Sequence, residues 1–226
     1  MTDDDPKIPA GGYRQVRFSA PPAATEIVLV RHGETIPADP LQPFPLLDGH
    51  GDPELAPEGV AQSHRVADRL AGSKIDAIYV TTLRRTHETA APLAQRCRLT
   101  PIVEPELREV RLGEWEGGIY RHKVVSLDPV AMQMIADERW DVVPGAESNE
   151  ELAARLRIGI GRIAGAHRGG RVVAFSHGGA IGMVLSMATG SRPFAFVAVD
   201  NGAISTIVVS GEKWFLRGFN DICHLA

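Results

Sequence analysis

Ile27-Val28-Leu29-Val30 runs without a break into Arg31-His32-Gly33-Glu34-Thr35. A short, continuous, β-branched apolar run is the pattern of a parallel strand buried on both faces. The residues after it then lie at the strand's carboxyl end, the edge where open α/β sheets bind ligands. That edge receives a fixed cation (Arg31), an imidazole nucleophile (His32) and a glycine whose backbone a phosphate can approach closely. A second junction of this kind is Val172-Val173-Ala174-Phe175-Ser176-His177-Gly178-Gly179-Ala180, an apolar strand that ends in Ser-His-Gly-Gly and enters a helix. The exposed amides of a helix start favour an anion, with His177 standing beside it.

The chain between and beyond these junctions alternates strand and helix. Pro57 suits a first helical turn, and Val60, Val66 and Leu70 give that helix an apolar stripe to about Ala71. Ile75 to Val80 is a further buried strand, followed by a helix through about Arg96, and Pro101 to Glu104 is a short extended piece. Residues 128–140 are weakly helical, whereas Leu152, Leu156, Ile160 and Ile163 mark a stronger helix from Glu150 to about Ala166. Arg171 to Phe175 is a strand and Gly179 to Thr189 a helix; Val197–Val199, Ala203–Val209 and Lys213–Gly218 complete the expected strands. Such alternation predicts the α/β class, a three-layer α/β/α sandwich with a mainly parallel central sheet.

With 226 residues, 44% of them hydrophobic, one core is expected over residues 25–226. Residues 1–24, with Pro6, Pro9, Gly11, Gly12, Pro21 and Pro22 among charges, read as a flexible leader. A net charge of −4 supplies no basic field for nucleic acid or a lipid surface. No apolar run approaches the ~18 residues a bilayer span needs. The acidic start Met1-Thr2-Asp3-Asp4-Asp5-Pro6 lacks the pattern of a signal peptide. A cytoplasmic location is therefore expected, with Cys97 and Cys223 as buried reduced thiols rather than a disulfide. Pro37, Pro40, Pro43 and Pro45 open a long loop to about Glu54, a length usually functional or mobile.

Two further segments carry chemistry: Thr82-Leu83-Arg84-Arg85-Thr86-His87-Glu88-Thr89-Ala90, just past a strand, and Leu107-Arg108-Glu109-Val110-Arg111-Leu112-Gly113-Glu114-Trp115-Glu116-Gly117. Together with the pentad at 31–35 and Ser176-His177-Gly178, they give the chain a resemblance to the histidine phosphatase superfamily, the phosphoglycerate-mutase-like enzymes, over roughly residues 26–210. The resemblance implies a phosphoglycerate-mutase-like fold and a metal-independent phosphomonoester hydrolase with no cofactor. His32 would form a phosphohistidine, Arg31 and Arg85 would grip phosphate oxygens, and His177 would stabilise the pentavalent transition state. Gly33, Thr35 and Gly178 would add backbone or hydroxyl contacts to the same phosphate. Glu109 is selected by register as general acid and base; composition alone leaves Glu106, Glu114 and Glu116 as competitors. Arg84, about 100° round the helix from Arg85, reads as a solvated charge or a rim residue. His87 reads as a surface or packing histidine, and Glu34 as a partner that orients Arg31 or a histidine.

Departures from the family pattern bear on substrate. Many members continue the pentad with a Trp-Asn pair; Pro37 and Ala38 stand there, so a phosphate-binding asparagine is missing. Mutases carry a lysine where this chain has Tyr120, with Arg121 and Lys123 out of register, and no adjacent arginine pair occurs in 119–143. Phosphatase chemistry is favoured, with a phosphoglycerate mutase or an inactive phosphate-binding module as the alternatives. Ala56 replaces the hydroxyl N-cap of the helix at Pro57, a loss worth about 1 kcal/mol. Pro144-Gly145-Ala146-Glu147-Ser148 is similar to a turn of phosphatase members that sets Glu147 and Ser148 at a helix start near the site. The segment 118–143 either covers the cleft or forms ordinary helical core. The expected partner is a small phosphorylated metabolite, with no nucleic acid and no membrane; a homodimer is left open.

Overall fold

The computed structural model describes residues 14–226. Residues 1–13 of the expected leader lie outside the described residues; 14–24 form no regular element, and Phe18 rests under the Arg217 guanidinium at 3.8 Å. β1 (Thr25–Arg31) leads into a long connection with a small hairpin, β2 (Leu46–Leu47) and β3 (His50–Gly51). Then follow α1 (Pro57–Leu70), β4 (Ala77–Val80), α2 (Arg84–Cys97) and β5 (Ile102–Val103). After two short 3-10 turns come α3 (Ile119–Val125), α4 (Pro129–Asp137) and α5 (Asn149–Ala166). β6 (Arg171–Ser176), α6 (Gly178–Thr189), β7 (Ile204–Ser210) and β8 (Lys213–Asp221) end the chain's main elements.

The sheet order is β5-β4-β6-β1-β7-β8. The first four strands are mutually parallel, and only β7 runs against its neighbours. β1 lies near the middle and is buried on both faces, so its apolar residues divide by parity. Ile27 and Leu29 pack with Leu152, Leu156, Ile160 and Ile163 of α5 and with α6. Val28 and Val30 face Val66 and Leu70 of α1 and Leu93 of α2. This is the expected three-layer α/β/α sandwich. The two cysteines are not buried as expected: Cys97 is half-buried and Cys223 exposed, both as free thiols.

The expected strand at Val197–Val199 does not form. Its amides and carbonyls are spent locally, Val199 N–H donating to Val197 O at 3.0 Å, and Val199 O accepts from the Arg31 guanidinium. The segment serves as a wall for the arginine rather than as a ladder. Ala56 caps α1 without a side-chain bond, as its sequence implies, while Ser148 and Glu151 form a full capping box at α5.

Candidate active site

β1 and β6 pair in parallel with Arg31 opposite Ser176, and the ladder extends one step to His32 N–H on Ser176 O at 3.0 Å. His32 and His177, each the next residue along its strand, therefore emerge side by side, their ring centroids 5.2 Å apart. That gap is close to the ~4.8 Å between neighbouring strands, so the sheet itself sets it. His32 Nδ1 donates to its neighbour's carbonyl, Gly33 O, at 2.8 Å, which leaves Nε2 with its lone pair free. Burial, and then the charges of Arg85 and Arg31, hold this imidazole well below the ordinary histidine range, so it is neutral near pH 7. His177 is depressed in the same direction, first by burial and then by Arg85 and His32. Its Nε2 lies 3.0 Å from Thr81 Oγ1 at the end of β4, and its Nδ1 is a buried atom with no partner.

Arg31 is half-buried beneath Gly178, where a Cβ would stand 3.4 Å from its Nε, and that Nε is itself a buried atom with no partner. Arg85 projects from the first turn of α2, donates to Gly51 O at 2.8 Å and lies 4.0 Å from Asp52. Desolvation draws its pKa down to about 10, still charged at neutral pH. Arg31, His32, Arg85 and Glu109 line one cavity of about 190 Å³, walled by Phe44, Leu112, Trp115, Tyr120 and Trp140. His177, fully buried against His32, is not itself among the lining residues.

Glu109 reaches the cavity with its carboxylate across the start of α6. Its Oε1 accepts from Val110 N at 2.9 Å and Ala180 N at 3.0 Å, and Oε2 from Gly179 N at 3.2 Å. Position 179 must be glycine for this seating, since a Cβ would stand 2.7 Å from Glu109 Oε1. The anion that the helix start was expected to attract is thus, in part, the protein's own carboxylate. The competitors are placed elsewhere: Glu116 bonds Gly51 N and Leu112 N, and neither Glu106 nor Glu114 lines the cavity.

The loop carrying Glu109 is fixed from behind by Arg155 of α5. Its guanidinium donates to the carbonyls of Glu106, Arg108 and Glu109 at 2.7–2.8 Å and holds Glu147 through two bonds at 2.6 and 2.9 Å. His50 of β3 adds a bond to Glu109 O at 3.1 Å. Nothing in the sequence distinguishes Arg155 from an ordinary exposed helix residue, and its role was not foreseen.

Gly33 lies at the start of the loop that follows β1. Its amide donates to Thr89 Oγ1 at 3.0 Å, so it is already engaged, and a Cβ there would lie 2.5 Å from Gly59 O. Glycine is needed for the close crossing of this loop over α1. Thr35 Oγ1 accepts from Arg121, and both line a second cavity of about 410 Å³ together with Arg31, His32, Glu34 and Asn201. Glu34 is exposed, and no bond from its side chain to Arg31 or a histidine occurs among the described residues. Asn201, also not foreseen, donates to His32 O at 3.0 Å. Arg84 pairs at the surface with Glu54 and Glu88, and His87 bonds Thr81 O at 2.8 Å, both as solvated or packing residues. Among the described residues no three His, Cys, Asp or Glu side chains cluster as a metal site would require.

Two strand-end imidazoles, the guanidiniums of Arg31 and Arg85 and one carboxylate thus converge at the carboxyl edge of the sheet of a phosphoglycerate-mutase-like fold. The sequence matches the histidine phosphatase superfamily (branch 1) over residues 27–222, and the chain belongs to that family. It is 34% identical over 207 residues to phosphoglycerate mutase-like protein 4 of Arabidopsis thaliana, covering 88% of this chain and 86% of that one. A metal-independent phosphoserine phosphatase of the same plant is 29% identical over 206 residues, with 89% and 84% covered. Among solved structures, a mycobacterial glucosyl-3-phosphoglycerate phosphatase superposes with a TM-score of 0.71 at 26% identity, covering 87% of this chain and 99% of that one. No helix among the described residues is long and apolar enough to cross a membrane.

Proposed function

We propose that the chain is a metal-independent phosphomonoesterase for a small phosphorylated metabolite, working through a phosphohistidine at His32. The observation that carries this reading is the pairing of a neutral His32, its Nε2 free, with Arg31 and Arg85 in one cleft. In the first half-reaction Nε2 attacks phosphorus as the ester P–O bond breaks, and protonated Glu109 gives its proton to the departing alkoxide. In the second, the Glu109 carboxylate takes a proton from water. The water oxygen attacks phosphorus, the P–N bond breaks and inorganic phosphate leaves. The two buried, unpartnered atoms, Arg31 Nε and His177 Nδ1, find in phosphoryl oxygens the partners that buried polar groups require. For His177 this uses the tautomer in which Thr81 O–H donates to Nε2 and Nδ1 carries the proton.

Tyr120 in place of a mutase lysine favours hydrolysis over transfer between two positions of one substrate. The named relatives, which include both a phosphoserine phosphatase and a mutase-like protein, are compatible with that preference. Rapid acid-free quenching after mixing with radiolabelled aryl phosphate should trap label on the wild-type protein and none on His32→Ala, and turnover should survive exhaustive chelation. Turnover by His32→Ala at the wild-type rate would overturn the reading.

A further inference from the structure

The family asparagine that would grip phosphate is absent, and Ala38 stands in its place. Its small side chain lies against the start of α3, where a Cβ on Gly118 would come within 2.7 Å of Ala38 Cβ. From the first turn of α3, Arg121 sends its side chain back over the pentad. One terminal nitrogen donates to Ile36 O at 3.0 Å and the other to Thr35 Oγ1, while the Phe44 ring lies 5.5 Å from the guanidinium carbon. Both anchors are within four residues of His32. Arg121 lines both cavities that meet at the nucleophile, a position shared only with Arg31 and His32. No carboxylate forms an ion pair with it among the described residues. Burial and then the neighbouring charge of Arg31 draw its pKa down, and its own charge adds to the depression of His32 and Arg85.

We propose that Arg121 is a third guanidinium ligand of the phosphoryl group, supplied by α3 in place of the asparagine that Ala38 displaces. The proposal rests on the phosphohistidine reading and adds to it a residue that sequence register passes over. An arginine here brings a full charge where an asparagine brings only a dipole, so it strengthens as negative charge accumulates on the equatorial oxygens. Its two anchors on Thr35 and Ile36 fix the fork before substrate arrives, which spares the ordering cost on binding.

The test is orthovanadate, a tetrahedral oxyanion that reports the phosphoryl site without any leaving group. Arg121→Gln should bind it about 10- to 100-fold more weakly, the range expected for one charged hydrogen-bonding partner, and Arg121→Lys should lose less. The same factor should appear in kcat/KM for a neutral aryl phosphate and for an ester bearing a carboxylate. Arg65→Gln, which removes an equal charge from the exposed face of α1, should bind vanadate as wild type does. Wild-type vanadate affinity in Arg121→Gln, or a loss confined to esters with a second anionic group, would overturn the proposal. In either case an inert His32→Ala would leave the phosphohistidine reading standing.

Discussion

Replacing Arg155 by methionine should separate the scaffold of this site from its chemistry. Arg155 and Glu147 form a pair with 16% and 9% of their side chains exposed. Methionine fills much of the same space but removes every donor. Glu147 would keep only its bond from Arg111 N at 3.2 Å, and the carbonyls of Glu106, Arg108 and Glu109 would each lose a partner. Breaking one side of a buried pair costs roughly 3–5 kcal/mol, mainly because the surviving charge is stranded. Arg155→Met should therefore lose about that much in urea denaturation, while Glu147→Leu/Arg155→Met should recover a large part of it. Glu109 itself keeps the amides of Gly179 and Ala180 at α6 and that of Val110, but its carbonyl is left with His50 alone. The loss of kcat should accordingly be greater for alkyl phosphates, which need a placed proton, than for nitrophenyl phosphate. A cost below about 1 kcal/mol in the single variant, or a double variant no more stable than Arg155→Met, would refute the argument.

Glu109→Gln should slow esters with poor leaving groups at least ~100-fold more than activated aryl esters, because only the former need protonation as the bond breaks. Equal losses, measured as kcat/KM across a leaving-group series, would move the acid to another carboxylate. The pH dependence of stability follows from His32 and His177, both depressed by burial in the folded state. Below the unfolded value of about 6.5 the unfolded chain binds protons that the folded chain resists, so stability is full above that pH and falls as pH drops beneath it. Thermal melts from pH 8 to pH 5 on wild type and on His32→Gln should show a shallower acid decline in the variant; identical slopes would contradict the assignment.

The layered core was legible because its strands are continuous apolar runs with no competing pattern. β1, β4 and β6 and helices α1, α2, α5 and α6 fall within about two residues of where periodicity puts them, the usual tolerance of such readings. What failed was short or held by distant partners. Val197–Val199 has strand composition but spends its backbone on a local turn and on Arg31. The β2–β3 hairpin has only two residues on each side, and contacts from elsewhere place it, Glu116 on Gly51 and Arg85 on Gly51 O. In the site, the strand-end residues could be read because a strand's end fixes where its next side chain begins. Arg121 and Arg155 could not, since a long side chain on a helix reaches its target through geometry that one-dimensional spacing does not record.

The hydrogen-bonded register between β1 and β6 has a consequence for how this architecture can change. Because adjacent strands hold the two imidazoles, their separation belongs to the sheet and is insensitive to whatever the surrounding loops do. Phe44, Tyr120 and Trp140 come from segments that can be lengthened, swapped or regrafted without shifting the reacting pair. A library confined to residues 37–47 and 119–143, with Arg121 held fixed, should therefore alter which alcohols are released while leaving the phosphorylation step intact, so that recognition can be tuned as an independent variable.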